Sequence, residues 1–197
     1  MRSKYLTDKE IAKLRATMSA SDWDPFQIAL ETGLRVGDVA KLAWRDLQGS
    51  RLEYIAEKTG KRGECYLCAA TAERLWARRR VAVSVWIFPN SRDSDRHITR
   101  QALWKRLKKA CKAAGVIADG VSPHSMRKCY GVREYRAHGL KAVQAGLQHT
   151  DIGTTEVYAL ADWLTADNAN KPLLRSDMAR ILHFIAGWLG IPQSNPN

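Results

Sequence analysis

Apolar positions along the chain follow a helical period almost everywhere and a two-residue period in one short stretch. The expected class is therefore mostly α with one small antiparallel β-sheet, an α+β fold. Thr7 and Glu10 have the spacing of a capping box, in which each side chain satisfies an orphan backbone donor. Ile11, Leu14 and Met18 then fall on one helix face. Asp24-Pro25 reads as an N-cap with proline at the first helical position, opening a second helix that Gly33 ends. A third helix is expected over 36–44. Residues 52–56 and 64–68 read as strands flanking a turn at 58–61, a hairpin with a basic tip. Helical pattern resumes over 70–80, and 83–88 is extended up to Pro89-Asn90. A helix over 99–114 has Leu103, Leu107, Ala110 and Ala114 inside and Gly115 at its end. Ser122-Pro123 opens another that ends near Gly139, followed by helices over 140–147 and after Thr150. Met178, Ile181, Leu182, Ile185, Trp188 and Leu189 form a last amphipathic stripe. No internal repeat or low-complexity stretch interrupts the pattern.

Composition narrows the class. With 197 residues, the chain has room for one domain or a small pair. Hydrophobic residues make up 45% and charged residues 26%, an ordinary globular balance. No apolar run approaches the roughly 18 residues of a membrane helix, and the start, Met1-Arg-Ser-Lys-Tyr, is not an apolar leader. Four cysteines do not make a disulfide framework, so a cytoplasmic, reduced protein is expected. The net charge is +12. Residues 151–197 hold three basic against five acidic side chains, a net of −2, so residues 1–150 carry +14. A globular segment that positive suits a polyanion, because each phosphate neutralised releases counterions.

Four signals stand in order: Thr32-Gly-Leu-Arg35-Val-Gly-Asp38 opening a helix, the hairpin tip with Lys58, Pro123-His124-Ser-Met-Arg127, and His149 followed nine residues later by Tyr158. Together they resemble the catalytic domain of the tyrosine recombinases, or phage integrases, over essentially the whole chain. The resemblance implies a site of Arg35, Lys58, His124, Arg127, His149 and Tyr158. The residue types suit the chemistry. Breaking a phosphodiester takes a nucleophile, a charge clamp on the non-bridging oxygens and an acid for the leaving oxygen. Tyr158 supplies a phenol whose reference pKa is about 10, so it needs an electropositive pocket or a base. Arg35 and Arg127 supply planar cationic forks that hold their charge at any working pH. His124 lies one helical turn before Arg127 and can bond the phosphate or take the tyrosine proton. His149 can donate to another phosphate oxygen. Lys58 suits the general acid for the 5′ oxygen, with Lys61 as competitor and the family spacing on the side of Lys58. Asp38, one turn after Arg35, reads as a carboxylate that orients a buried arginine. Taken singly, each of these has a bland reading as a capping, packing or solvated side chain; only their joint occurrence in order argues otherwise.

The helix carrying Arg100, Lys105, Arg106, Lys108 and Lys109 has no acid over 100–112 and is the candidate DNA face, together with Lys61. Arg78-Arg79-Arg80 reads as a solvated helix end. Cys65-x-x-Cys68 has zinc-like spacing but no second pair, so no metal is expected; His97, His138 and His183 have no matching partners either. Three positions depart from the family pattern: Lys128 after the arginine, Gln148 before the histidine, and Ala159-Leu160 after the tyrosine. Only 34 residues precede Arg35, where most family members carry a helical DNA-clamping domain. The expectation is a catalytic domain over 1–175 without that clamp, and a C-terminal helix and tail over 176–197 that packs on its own domain or passes to a neighbour. The function so implied is a site-specific recombinase of integrase or invertase type, working through a 3′-phosphotyrosyl intermediate without metal, ATP or other cofactor. Its partner is double-stranded DNA, with four protomers on paired sites and a monomer without DNA, in the cytoplasm of a bacterium or phage host at the nucleoid. The alternatives are a type IB topoisomerase-like relaxer and a non-catalytic DNA-binding regulator.

Overall fold

The computed structural model describes residues 3–138. The capping box forms as read: Thr7 Oγ1 accepts the Glu10 N–H at 3.3 Å and the Glu10 carboxylate accepts the Thr7 N–H at 2.9 Å. It starts α1 (Asp8–Ala16), which buries Ile11 and Leu14.

The second helix departs from expectation. Helix α2 runs Ala20–Thr32, and its N-cap is Ser19, whose hydroxyl accepts the Asp22 N–H at 3.2 Å. Pro25 therefore lies inside the helix, and Asp24 is not a cap. The Asp24 carboxylate is fully buried and takes Arg74 Nε at 2.9 Å and Arg78 Nη1 at 2.8 Å, both from α4 (Ala69–Arg79). A buried carboxylate needs such partners, and their cost in side-chain entropy is met where two helices cross. Arg78 also donates to the Ile87 carbonyl at 2.8 Å, and the Arg79 guanidinium lies 5.9 Å from the Trp44 ring centre. Two of the three arginines read as a solvated helix end thus hold tertiary structure.

Helix α3 covers only Val36–Ala40. The chain beyond it pairs instead of coiling: Ile87 N–H bonds the Leu42 carbonyl at 2.9 Å and Trp44 N–H the Val85 carbonyl at 3.0 Å. This is the partner of the extended 83–88 segment. A 3₁₀ turn (Trp44–Asp46) leads into an antiparallel sheet ordered β1 (Leu47–Gln48), β2 (Arg51–Ile55), β3 (Arg62–Tyr66). Leu52 faces both Leu47 and Cys65, and Ile55 faces Arg62. The second strand of the hairpin sits two residues earlier than expected, because Leu67 turns into the core and Cys68 becomes the N-cap of α4. Glu31 serves that cap from α2, accepting the Cys68 N–H at 3.1 Å and the Thr71 hydroxyl at 2.7 Å. A carboxylate at a helix N-terminus complements its dipole.

Helix α5 (Arg100–Ala114) is capped by Thr99 and ended by Gly115 at φ +64°. Helix α6 (His124–His138) follows Ser122-Pro123. Helix α2 packs against α3, α4, β3 and α6, and its Phe26, Ile28 and Ala29 are inaccessible to solvent. Full burial of such a side chain contributes about 1.5–3 kcal/mol relative to exposure, so α2 is the spine of the domain. Leu103 and Leu107 of α5 and Met126 of α6 complete the same core. The class is the expected one, mostly α with a small antiparallel sheet.

Truncating Asp24 to alanine leaves two arginines facing a dry pocket. Stability is expected to fall by about 3 kcal/mol, the low end for a broken buried pair because both arginines keep a water-facing edge. Urea unfolding measures it, and an unchanged midpoint would show that the α2–α4 pairing contributes nothing net.

Candidate active site

The turn 32–35 is built to present Arg35. Thr32 Oγ1 donates to the Ile28 carbonyl at 2.7 Å and accepts the Leu34 N–H at 3.3 Å. Gly33 ends α2 in the left-handed region, φ +68°, where a side chain would strain the backbone. Leu34 is buried and pins the turn. Arg35 is then the N-cap of α3, with extended backbone (φ −66°, ψ 139°), and its half-buried side chain faces a cleft.

Arg127 reaches the same turn from α6. Its side chain is 4% exposed and its Nη1 donates to the Gly33 carbonyl. The two arginines, 92 positions apart in the chain, therefore converge on one four-residue turn. Tyr54 of β2 reports the convergence. Burial pushes its phenol above the ordinary value, Cys65 and Asp38 add to the rise, and Arg127 and Arg35 both oppose it.

The cleft beside this turn measures about 500 Å³. Its polar wall is Arg35, Lys58, Arg100 and His124, with the carboxylates of Asp38 and Glu57 among them. Arg127 is not on the wall but lies buried behind it, one helical turn after His124. The hairpin tip closes through Ala56 N–H to the Lys61 carbonyl at 2.9 Å and Gly60 N–H to the Ala56 carbonyl at 2.7 Å. Lys58 thereby lines the cleft with its side chain exposed, whereas Lys61 is not on the wall. Asp38 ties the hairpin to α3. Its carboxylate is 5% exposed, and Oδ1 accepts the Glu57 N–H at 3.0 Å, tying the hairpin backbone next to Lys58 onto α3. Glu57 in turn pairs with Lys41 at 3.0 Å.

The basic helix α5 is not a uniform face. Arg100 reaches the cleft, and Lys105 and Lys109 are exposed. Arg106 pairs with Asp22 at 2.7 Å, and Lys108 donates to the Ala118 carbonyl with its ammonium 5.7 Å from the Trp104 ring centre.

With this geometry in place, comparison with known proteins is decisive. The model of the Phage integrase family matches residues 4–163. The chain belongs to the phage integrase family. Tyrosine recombinase XerD of Bradyrhizobium diazoefficiens is 30% identical over 177 residues, covering 77% of this chain and 55% of that protein. The chain spans about half the length of the curated relatives it matches. Among solved structures, XerA recombinase superposes with a TM-score of 0.68 at 20% identity, covering 88% of this chain and 67% of that one. A lambda integrase dimer bound to a COC' core site gives 0.66 at 21% identity, covering 81% and 60%. The fold of this phage integrase family member is thus the tyrosine recombinase catalytic-domain fold.

Four of the six expected catalytic side chains, Arg35, Lys58, His124 and Arg127, gather at this turn and cleft. His149, Tyr158, the helices expected over 140–147 and after Thr150, His183 and the C-terminal stripe lie outside the described residues. The cysteine pair is divided between elements. Cys65 sits in β3, its thiol pushed up to about 12 by burial, while the Cys68 thiol contacts Glu31 at 3.1 Å. His97 Nδ1 bonds the Ile98 carbonyl at 2.7 Å, and His138 faces Glu134 at 3.3 Å. Sequence reasoning missed four polar or aromatic cleft residues, Glu57, Gln101, Trp104 and Ser122. Trp104 had a signal: it stands four residues after Arg100 on the basic helix, hence on the same side.

Replacing Asp38 by alanine frees the Glu57 amide. Its hydrogen exchange is expected to accelerate about tenfold or more, with about 1–2 kcal/mol lost in global stability. Unchanged exchange at Glu57 would show that the hairpin is held by other contacts.

Proposed function

We propose that this chain is the catalytic part of a site-specific DNA recombinase of integrase or invertase type, with Tyr158 as nucleophile. The observation that carries the reading is the bond from Arg127 to the Gly33 carbonyl, which brings its guanidinium to the turn that presents Arg35. Beside it, a cleft of about 500 Å³ receives Lys58, His124 and Arg100.

In this reading a DNA phosphate enters the cleft, Arg35 holds its non-bridging oxygens, and Arg127, buried behind the wall, adds its positive charge from there. Such donors are preorganised where charge develops, and losing one costs on the order of 10² to 10³ in rate. The Tyr158 oxygen attacks phosphorus while the P–O5′ bond breaks. The tyrosine proton leaves toward His124 or water, and Lys58 gives its proton to the departing 5′ oxygen. His149 donates to a further phosphate oxygen. The product is a 3′-phosphotyrosyl link and a free 5′ hydroxyl. A 5′ hydroxyl from the partner strand reverses the step, and because the ester is conserved, neither ATP nor a metal takes part. Lys58 is favoured over Lys61 because it alone of the two lines the cleft.

The lambda integrase and XerH structures were solved on DNA, lambda integrase also as a tetramer on a Holliday junction. By likeness, the partner here is double-stranded DNA and the working assembly four protomers, with residues 176–197 free to pass between subunits and 1–175 forming the catalytic domain. No helix among the described residues is long and apolar enough to cross a membrane, in keeping with a cytoplasmic protein at the nucleoid.

On a nicked suicide duplex in EDTA, wild-type protein is expected to form a covalent adduct mapped to Tyr158. Tyr158→Phe is expected to bind the duplex and form none; an adduct in that variant would remove Tyr158 from the role. Lys58→Ala is expected to slow cleavage on the order of 10²-fold and to recover when sulfur replaces the bridging 5′ oxygen, since a thiolate leaves without an acid. Failure of that rescue, or the same defect in Lys61→Ala, would reassign the acid.

A further inference from the structure

Trp104 is the odd member of the cleft. It is the wall's one aromatic carbocycle, and the indole is 45% exposed. It projects from α5 one turn after Arg100, into a space bounded by Arg35, Lys58, Arg100 and His124. Lys108, one turn further on, sets its ammonium 5.7 Å from the ring centre and is itself tied to the Ala118 carbonyl. The ring is thus steadied from behind by a cation–π contact.

Its polar edge is also unspent. Trp23, Trp76 and Trp86 give their Nε1–H to Gln27, the Gly49 carbonyl and the Asp95 carbonyl, at 2.8–2.9 Å. Trp44 is buried. Among the described residues, no acceptor takes the Nε1–H of Trp104. A large ring open to water in a cleft lined by Arg35, Lys58 and Arg100, with a neutral donor unbonded among the described residues, suits a partner that is apolar on one side and rich in acceptors on the other. A nucleotide unit next to a bound phosphate has that chemistry: the deoxyribose offers C–H surface, and the adjoining phosphate offers oxygens. The cleft is also larger than one phosphate group requires.

We propose that Trp104 is a DNA-positioning residue: its ring packs on the deoxyribose beside the phosphate held in the cleft, and its Nε1–H donates to the next phosphate along that strand. The proposal rests on the DNA-recombinase reading above. Because the donor is neutral, the contact adds affinity without adding charge neutralisation. That separates Trp104 from Lys105 and Lys109 on the same helix, whose contribution would scale with salt.

The test uses a fluorescein-labelled 30-base-pair duplex of arbitrary sequence, so no target site need be known. Trp104→Phe keeps a ring and loses the donor; Trp104→Ala loses both. Affinity is expected to fall about 3- to 10-fold in the first and further in the second, with the salt slope of binding unchanged in both. Lys105→Gln is the contrast, expected to reduce the slope by about 0.9. In protein labelled with 5-fluorotryptophan, the ¹⁹F resonance that Trp104→Phe removes is expected to shift on adding duplex. Wild-type affinity in both folded variants, or an unmoved Trp104 resonance at saturating duplex, would overturn the proposal while leaving the recombinase reading intact. A wild-type protein that does not bind the duplex would overturn both.

Discussion

The bond from Arg127 to the carbonyl of Gly33 organises everything the cleft can do. It joins α6 to the turn that ends α2 and begins α3, so the arginine of one motif is positioned by the backbone of the other. Placing a guanidinium at 4% exposure is expensive by itself. A protein gains little stability from such a group, and a well-packed apolar side chain would serve folding as well. The arrangement makes sense as stored electrostatic potential: a cation already stripped of most of its water, next to a second one, acts strongly on an anion that enters. Gly33 is part of the same constraint. Its left-handed backbone turns the carbonyl toward α6 and the chain toward Arg35 in a single step.

The remaining groups are held less rigidly, and the difference matches their tasks. The clamp must keep fixed distances, and it sits on helices packed through Phe26, Ile28 and Met126. Lys58 sits on a four-residue tip outside the core, tied to α3 through its neighbour Glu57, whose amide bonds Asp38 and whose carboxylate pairs with Lys41. In the proposed mechanism, an acid that follows a departing oxygen would benefit from this freedom, and the Asp38 tether would limit how far it wanders. Asp38 thus couples the two parts: it lies on the helix that Arg35 begins and bonds the backbone that carries Lys58.

Much of this was legible because local chemistry is explicit. Thr7/Glu10, Thr99, Gly115 and Ser122-Pro123 each mark a helix end by satisfying or removing particular backbone donors, and the structure follows them. Asp24-Pro25 carries the same local signature and misleads, since the carboxylate is taken by Arg74 and Arg78 from fifty positions away and Ser19 starts the helix instead. The third helix ends earlier than its pattern suggests, because nothing near Leu42 announces that residues 85–87 will pair with it. In the site, the residue types and their order gave Arg35, Lys58, His124 and Arg127. The function of Asp38, and the presence of Gln101, Trp104 and Ser122, depend on which surfaces face the cleft, and that is set by packing.

Charge shows most clearly how packing rewrites a sequence. Six positive side chains and no negative one over 100–112 suggest a helix given over to a polyanion. Folding engages two of them: Arg106 is paired with Asp22, and Lys108 is spent on Ala118 and the Trp104 ring. What is left is directional. Arg100 points into the cleft with Lys58 and Arg35, while Lys105 and Lys109 stay exposed further along the helix. Nonspecific attraction to a phosphate backbone requires only the total charge, but holding one phosphate in register requires that cations be absent from the wrong places as well. Asp22 and the Ala118 carbonyl, neither of them on the cleft wall, therefore help set which cations of this helix stay available: one neutralises Arg106, and the other fixes where the Lys108 ammonium sits.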